Sequence, residues 1–220
     1  MILPEGPQPF DVLTAEFLAA AAGPSSFPPP ALAEIAFGGR SNVGKSSMLN
    51  ALMQRRGLVR TSSTPGHTRS VNVFHAVTRN GLDLQLVDLP GYGFAKRSKS
   101  ELKQWGPLLE SYIQGRPTLR AVVVLVDVRR GVEDDDVQLL EFCNAPRPGN
   151  APLVTLVVAT KLDLVPKAKR KPTLAALAAS MPREARSRVI GFSAETMEGR
   201  LDVWKAIDRL VRGPTAEAAP

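Results

Sequence analysis

Gly39-Arg40-Ser41-Asn42-Val43-Gly44-Lys45-Ser46 reads G-x-x-x-x-G-K-S, and its setting decides the fold. The apolar run Ile35-Ala36-Phe37 leads into it as a strand. Met48, Leu49, Leu52 and Met53 follow at helical spacing, with Gly57 as the expected stop. A loop of this composition between a strand and a helix is built to hold phosphate. Glycines let backbone N–H groups close around the oxygens, and the helix N-terminus adds partial positive charge. The residues expected to line the phosphates are Gly39, Arg40, Ser41, Asn42, Val43, Gly44, Lys45, Ser46 and Ser47, with Lys45 reaching the β and γ oxygens and the Ser46 hydroxyl ligating Mg²⁺.

Four later motifs stand in order, and each is weak alone. Asp88-Leu89-Pro90-Gly91 closes an apolar strand over 82–87; a carboxylate there can hold Mg²⁺ through water, and the Gly91 N–H can sense a γ-phosphate. Thr64-Pro65-Gly66-His67-Thr68 lies between the first helix and the next strand, where the Thr68 hydroxyl can complete the Mg²⁺ shell. Thr160-Lys161-Leu162-Asp163 follows an apolar strand over 153–159. An Asp163 carboxylate facing a base accepts from the N1–H and 2-amino group of guanine, donors that adenine lacks. Ser193-Ala194, after a short strand over 189–192, offers a backbone N–H to the guanine O6. Each has an ordinary reading as a polar turn after a strand. Their order points to a GTPase with Lys45, Thr68 and Gly91 at the reacting end, Mg²⁺ on Ser46, Thr68 and Asp88, and Gly66, Thr160, Lys161, Asp163, Ser193 and Ala194 completing the nucleotide site.

The chain has 220 residues and 44% hydrophobic content, enough for one α/β domain with short tails. Its single cysteine, Cys143, can form no internal disulfide and sits at helical spacing with Leu139 and Leu140, as a buried thiol would. That usage fits a reducing cytoplasm, and no apolar run has membrane-spanning length, so no membrane partner is expected. Net charge is +7, and residues 1–33 contain acids but no lysine or arginine, so the positive charge lies beyond them. The bases cluster at Arg55, Arg56 and Arg60, at Lys96, Arg97, Lys99 and Lys103, at Lys167, Lys169, Arg170 and Lys171, and at Arg183, Arg186 and Arg188. A polyanionic partner is one reading, and a solvated basic surface the other.

Residues 1–33 read as an extension with a proline-rich linker, the core domain runs over 34–212, and 213–220 read as a disordered tail. Residues 11–22 are compatible with a helix or an edge strand. Val71, Val73, His75 and Val77 alternate, as do Leu82, Leu84 and Leu86. The Asn80-Gly81 pair between them makes this an antiparallel hairpin, with His75 a sheet residue rather than a ligand. Later strands alternate with helices: one with Leu102, Trp105, Leu108, Leu109 and Tyr112 on a face and Ser98 and Glu101 spaced for a capping box, one opening on Glu133-Asp134-Asp135-Asp136 where the dipole favours acids, and a last with Leu201, Trp204, Ile207, Leu210 and Val211. The expected fold is a three-layer α/β sandwich: a mostly parallel sheet with one antiparallel strand and helices on both faces.

Over residues 34–212 the sequence resembles the EngB (YihA/YsxC) GTPases. The resemblance rests on the phosphate loop from Glu34 to Ser47, on Thr64-Pro65-Gly66-His67-Thr68, on Val87-Asp88-Leu89-Pro90-Gly91-Tyr92-Gly93-Phe94-Ala95, on Asp127 with Arg129, and on Thr160-Lys161-Leu162-Asp163. It implies a P-loop GTPase that binds GTP and GDP with Mg²⁺ and acts in assembly of the large ribosomal subunit, contacting rRNA and ribosomal proteins; a monomer is the expected state. A signalling switch that binds protein effectors and a scaffold with structural GTP are the competing classes. Two residues carry open alternatives. Tyr92 stands where many GTPases place a water-orienting glutamine and cannot do that job the same way; packing within the second switch is its ordinary reading, and the two are compatible. Asn42 either stabilises the loop or marks a K⁺ site beside the phosphates.

Overall fold

The computed structural model describes residues 6–59, 70–92, 100–181 and 189–213, without the side chains of 100–106. Strands β1 (Val12–Ala21), β2 (Glu34–Gly39), β3 (Val71–Thr78), β4 (Asp83–Asp88), β5 (Leu119–Asp127), β6 (Val154–Thr160) and β7 (Val189–Gly191) form one sheet in the order β1-β3-β4-β2-β5-β6-β7. Only β3 runs against the others: it pairs antiparallel with β1 and β4, and the remaining neighbours are parallel. The fold is the expected one, an α/β sandwich with a single antiparallel strand.

Helices α1 (Lys45–Met53) and α5 (Arg200–Arg212) cover one face; α2 (Ser100–Gly115), α3 (Asp134–Asn144) and α4 (Lys167–Ser180) cover the other. Met48, Leu49, Leu52 and Met53 of α1 pack with Val203, Trp204 and Ile207 of α5 against Ile35, Phe37 and Phe74. Tyr112, Ile113, Leu140, Cys143 and Leu177 fill the opposite layer against Ala36, Val122, Val124 and Val157. Burial pushes the Cys143 thiol up to about 12, so it stays an inert core group. The strands of the middle layer are buried on both faces and therefore read as unbroken apolar runs, Ala121-Val122-Val123-Val124-Leu125-Val126 above all.

Residues 11–22 resolve as an edge strand. Three apolar side chains of β1, Leu13, Phe17 and Leu18, are exposed, which is why the pattern alone fits neither template; pairing with all of β3 supplies the order. The hairpin forms as expected, with Gly81 at φ 78° and its N–H donating to Thr78 O. Helix α1 stops earlier than Gly57. Gln54 takes the left-handed cap at φ 53°, and its side chain is committed across the domain, accepting from the Val12 N–H at 2.8 Å and donating to Asp11 at 3.3 Å. The capping residue is thus chosen by a tertiary contact rather than by glycine's freedom. Arg200 donates to the carbonyls of Ala51 (3.2 Å) and Leu52 (3.4 Å), and Trp204 to Leu52 (3.2 Å), so α5 satisfies the end of α1 and fixes the helix behind the phosphate loop.

Candidate functional site: a phosphate loop at the carboxyl edge of the sheet

β2 lies between β4 and β5, so the crossovers leave it in opposite directions and a crevice opens beyond its carboxyl end. The loop 39–46 occupies that crevice. Asn42 and Gly44 adopt left-handed backbone, φ 64° and 105°, which turns successive N–H groups inward; asparagine and glycine are the residues that tolerate it. The first in-helix bond runs from the Met48 N–H to Gly44 O at 2.8 Å, leaving the Lys45, Ser46 and Ser47 N–H groups as the helix-start donors. A left-handed Asn42 accounts for the loop-stabilising reading of that residue; its side chain is exposed.

Lys45 forms a buried ion pair with Asp88 at the end of β4, and Asn72 donates to the other carboxylate oxygen at 3.5 Å. The expected phosphate-binding lysine and the expected Mg²⁺ carboxylate are therefore side by side, with Ser46 next in the helix. The donor set fits a hard cation: a hydroxyl and a carboxylate beside phosphate-seeking N–H groups. When bound, Mg²⁺ would be held by Ser46 and Asp88 and would neutralise phosphate charge. Among the described residues no group of three or more His, Cys, Asp or Glu gathers as a self-sufficient metal cage. Gly66 and Thr68 lie outside the described residues, as do Ser98 and the 214–220 tail.

At the other end of the crevice, Thr160, Lys161 and Asp163 meet Ser193 and Ala194. The Ser193 hydroxyl, fully buried, donates to Asp163 Oδ1 at 2.6 Å and accepts the Thr196 N–H at 3.1 Å. The Ser193 N–H donates to Glu198 O at 3.0 Å, closing the 195–199 turn. That turn requires Gly199: it sits at φ 79°, and a Cβ there would lie 1.9 Å from Gly191 O. Sequence reasoning placed the motifs and missed the lacing between them. The Thr160 hydroxyl donates to Val43 O at 2.6 Å, and Lys161 Nζ donates to Asn42 O at 2.7 Å. Base end and phosphate end are thereby held as one rigid cradle. Lys161 takes left-handed backbone, φ 59°, and its ammonium is 3.1 Å from Asp127. Burial alone would raise the Asp127 carboxyl; hydrogen bonds from Arg129 and Lys161 outweigh it and hold it well below the usual carboxylate range.

The second switch begins against the phosphate loop. Tyr92 N–H donates to Gly39 O at 3.3 Å and Ser41 N–H to Tyr92 O at 2.8 Å, a parallel bridge between Arg40 and Tyr92. The Tyr92 hydroxyl donates to Asp136 Oδ1 at 2.8 Å, and Arg40 ion-pairs with Glu133 (2.7 Å) and Asp135 (3.0 Å). The Tyr92 side chain thus reaches the first turn of α3. Burial, then the Asp136 charge, pushes its hydroxyl far above the ordinary tyrosine range, so it remains a neutral donor.

The loop 39–46 after β2, Asp88 and Gly91 after β4, and a serine-braced Asp163 after β6, together at the carboxyl edge of the sheet, are the arrangement of a P-loop GTPase. Residues 34–161 match the family model described as "50S ribosome-binding GTPase". The chain is 44% identical over 207 residues to the probable GTP-binding protein EngB of Geobacter metallireducens, covering 94% of this chain and 97% of that one, and 42% identical over 197 residues to its counterpart in an Exiguobacterium species, covering 90% and 95%. The chain belongs to the EngB family of GTP-binding proteins, and it is a GTPase. Among solved structures, a probable GTP-binding protein engB superposes with TM-score 0.60 at 24% identity over 82% of this chain and 99% of that one. Era, solved with MgGDPNP and nucleotides 1506–1542 of 16S ribosomal RNA, gives TM-score 0.59 at 23% identity over 86% of this chain and 58% of that one. These two likenesses concern the fold.

Proposed function

We propose that this GTPase is a cytoplasmic, monomeric assembly factor that binds the large ribosomal subunit, contacting rRNA and ribosomal proteins, when GTP is bound. The observation that carries the reading is the match of residues 34–161 to a family described as ribosome-binding. The charge distribution supports it. On α4, Arg170 is engaged by Glu198 and Val165 O, whereas Lys167, Lys169 and Lys171 are exposed and available to phosphates. Among the described residues no helix is long and apolar enough to cross a membrane.

In this reading Lys45 turns from Asp88 to the β and γ phosphates, and Ser46, Thr68 and Asp88 would hold Mg²⁺, which would neutralise phosphate charge. Asp163 accepts from guanine and Ala194 N–H donates to O6. Asn42, whose left-handed backbone shapes the loop, would also be the residue nearest a K⁺ bound beside the phosphates. Intrinsic turnover is slow, on the order of 10⁻³ s⁻¹ or below, because no glutamine follows Gly91. The test is co-sedimentation with purified large subunits in the presence of a GTP analogue and of GDP. Pelleting favoured by the analogue and weakened steeply by salt is expected; equal recovery with both nucleotides, or none with either, sinks the proposal.

A further inference from the structure

The first turn of α3 does more than start a helix. Asp136 is 1% exposed, and its two carboxylate oxygens have different partners. Oδ2 accepts the Glu133 N–H at 3.0 Å and closes the capping box; Oδ1 accepts the Tyr92 hydroxyl at 2.8 Å. Capping uses one oxygen, so the second is surplus to the helix. The two residues of the backbone bridge between phosphate loop and second switch, Arg40 and Tyr92, both send their side chains to this one turn, Arg40 to Glu133 and Asp135 and Tyr92 to Asp136. Gly91, expected from the sequence to sense the γ-phosphate, is adjacent to the bridge, and a Cβ on it would stand 3.4 Å from Ser41 Oγ. The seam that sets where Gly91 lies is thus held by backbone bonds at its centre and by α3 from outside.

We propose that Asp136 is a positioning residue for GTP hydrolysis: through the Tyr92 hydroxyl it holds the Gly91–Tyr92 peptide in register against the phosphate loop. Tyr92 itself, with its hydroxyl turned to α3, acts as the strut between them. Displacing a transition-state donor by a fraction of an ångström reduces turnover more than it reduces binding of a ligand that lacks the γ-phosphate. The pair should therefore separate turnover from GDP affinity.

The test compares Tyr92→Phe, Asp136→Ala and the double variant by single-turnover GTP hydrolysis and by titration with a fluorescent GDP. Tyr92→Phe removes one oxygen and leaves the α3 cap intact, so it isolates the strut from helix stability. Each single variant should lower the hydrolysis rate about tenfold with GDP affinity changed less than twofold, and the double variant should fall no further than the slower single. Asp136→Asn replaces Asp136→Ala if the latter does not fold, with the same non-additivity expected. A Tyr92→Phe rate within twofold of the wild type, rate losses that multiply in the double variant, or a parallel loss of GDP affinity would each overturn the proposal.

Discussion

Two buried ion pairs mark the two ends of β2. Beyond its carboxyl end, Lys45 meets Asp88; at its start, Arg116 meets Glu34 with a closest approach of 2.6 Å. Both lie almost wholly out of water, yet they are completed differently. Glu34, fully buried, accepts from Arg116, from the Tyr112 hydroxyl and from the Thr118 hydroxyl at 2.7 Å, while its N–H donates to Thr118 O at 2.9 Å. Arg116 also donates to Pro28 O at 2.7 Å, and its own carbonyl accepts from Arg147 at 2.5 Å. Among the described residues, Asp88 has Lys45 and one long bond from Asn72. Desolvating a charge is offset only when its hydrogen-bonding capacity is filled. The pair at the start of β2 is filled by the protein and fastens the proline-rich segment, α2 and β5 together. Among the described residues the pair at the carboxyl end is filled sparsely, which suits the exchange of partners for phosphate and metal that the proposed function requires. Completeness of the hydrogen-bond shell, rather than burial, separates the structural pair from the functional one.

The largest effect should come from the filled pair. Glu34→Ala strands Arg116 and the Tyr112 hydroxyl and should lower unfolding free energy by about 4 kcal/mol, with GTP affinity of the folded protein unchanged. Denaturant midpoints and a nucleotide titration on one preparation decide it; an affinity loss without a stability loss would reverse the comparison. Lys45→Ala should do the opposite, weakening Mg²⁺-GTP binding by about 3 kcal/mol, roughly a hundredfold, and costing less than half the stability that Glu34→Ala costs. Normal GTP hydrolysis by this variant would refute the phosphate-loop assignment.

Asp163→Asn extends the comparison to a carboxylate that Ser193 braces at Oδ1. Guanine nucleotide affinity should fall by about 2 kcal/mol, with xanthine nucleotide binding improved, and the wild type should discriminate strongly against ATP. Equal affinity of the wild type for ATP and GTP is the contrary result.

The smallest effect belongs to a charge cluster open to water. His75 lies 3.2 Å from Glu16 and 2.7 Å from Asp83, on the β1, β3 and β4 part of the sheet. Desolvation lowers its pKa, but the hydrogen bonds and charges of Asp83 and Glu16 outweigh this and raise it above 6.5. A raised folded-state pKa means that the stabilisation is present below the unfolded value and is lost as pH rises through the folded one. With both carboxylates more than half exposed, the gain should stay below about 1 kcal/mol. The difference in melting temperature between wild type and His75→Gln should therefore be larger at pH 6 than at pH 8.5, and a difference that grows with pH would contradict the assignment.

The chemical motifs were legible because each is local. A phosphate loop needs its glycines, lysine and serine within eight residues, so the chain spells the site out in order. The hairpin and the apolar strands were legible for the same reason, since period-two alternation and Asn80-Gly81 are nearest-neighbour signals. Edge strand β1 was open to two readings because its outward apolar residues blur the alternation. The end of α1 moved from Gly57 to Gln54 because Gln54 finds Val12 across the domain.

Sequence by itself determined the class of fold, the order of the nucleotide motifs and the basic character beyond residue 33. Tertiary structure alone decided which charged residues serve structure and which remain exchangeable. Glu34 finds Tyr112 78 residues away, Tyr92 finds Asp136 44 residues away, and Lys161 finds the Asn42 carbonyl 119 residues away. A carboxylate's partners are set by where the strands and helices place them, and propensity and periodicity describe only the residues within a turn or two of each other.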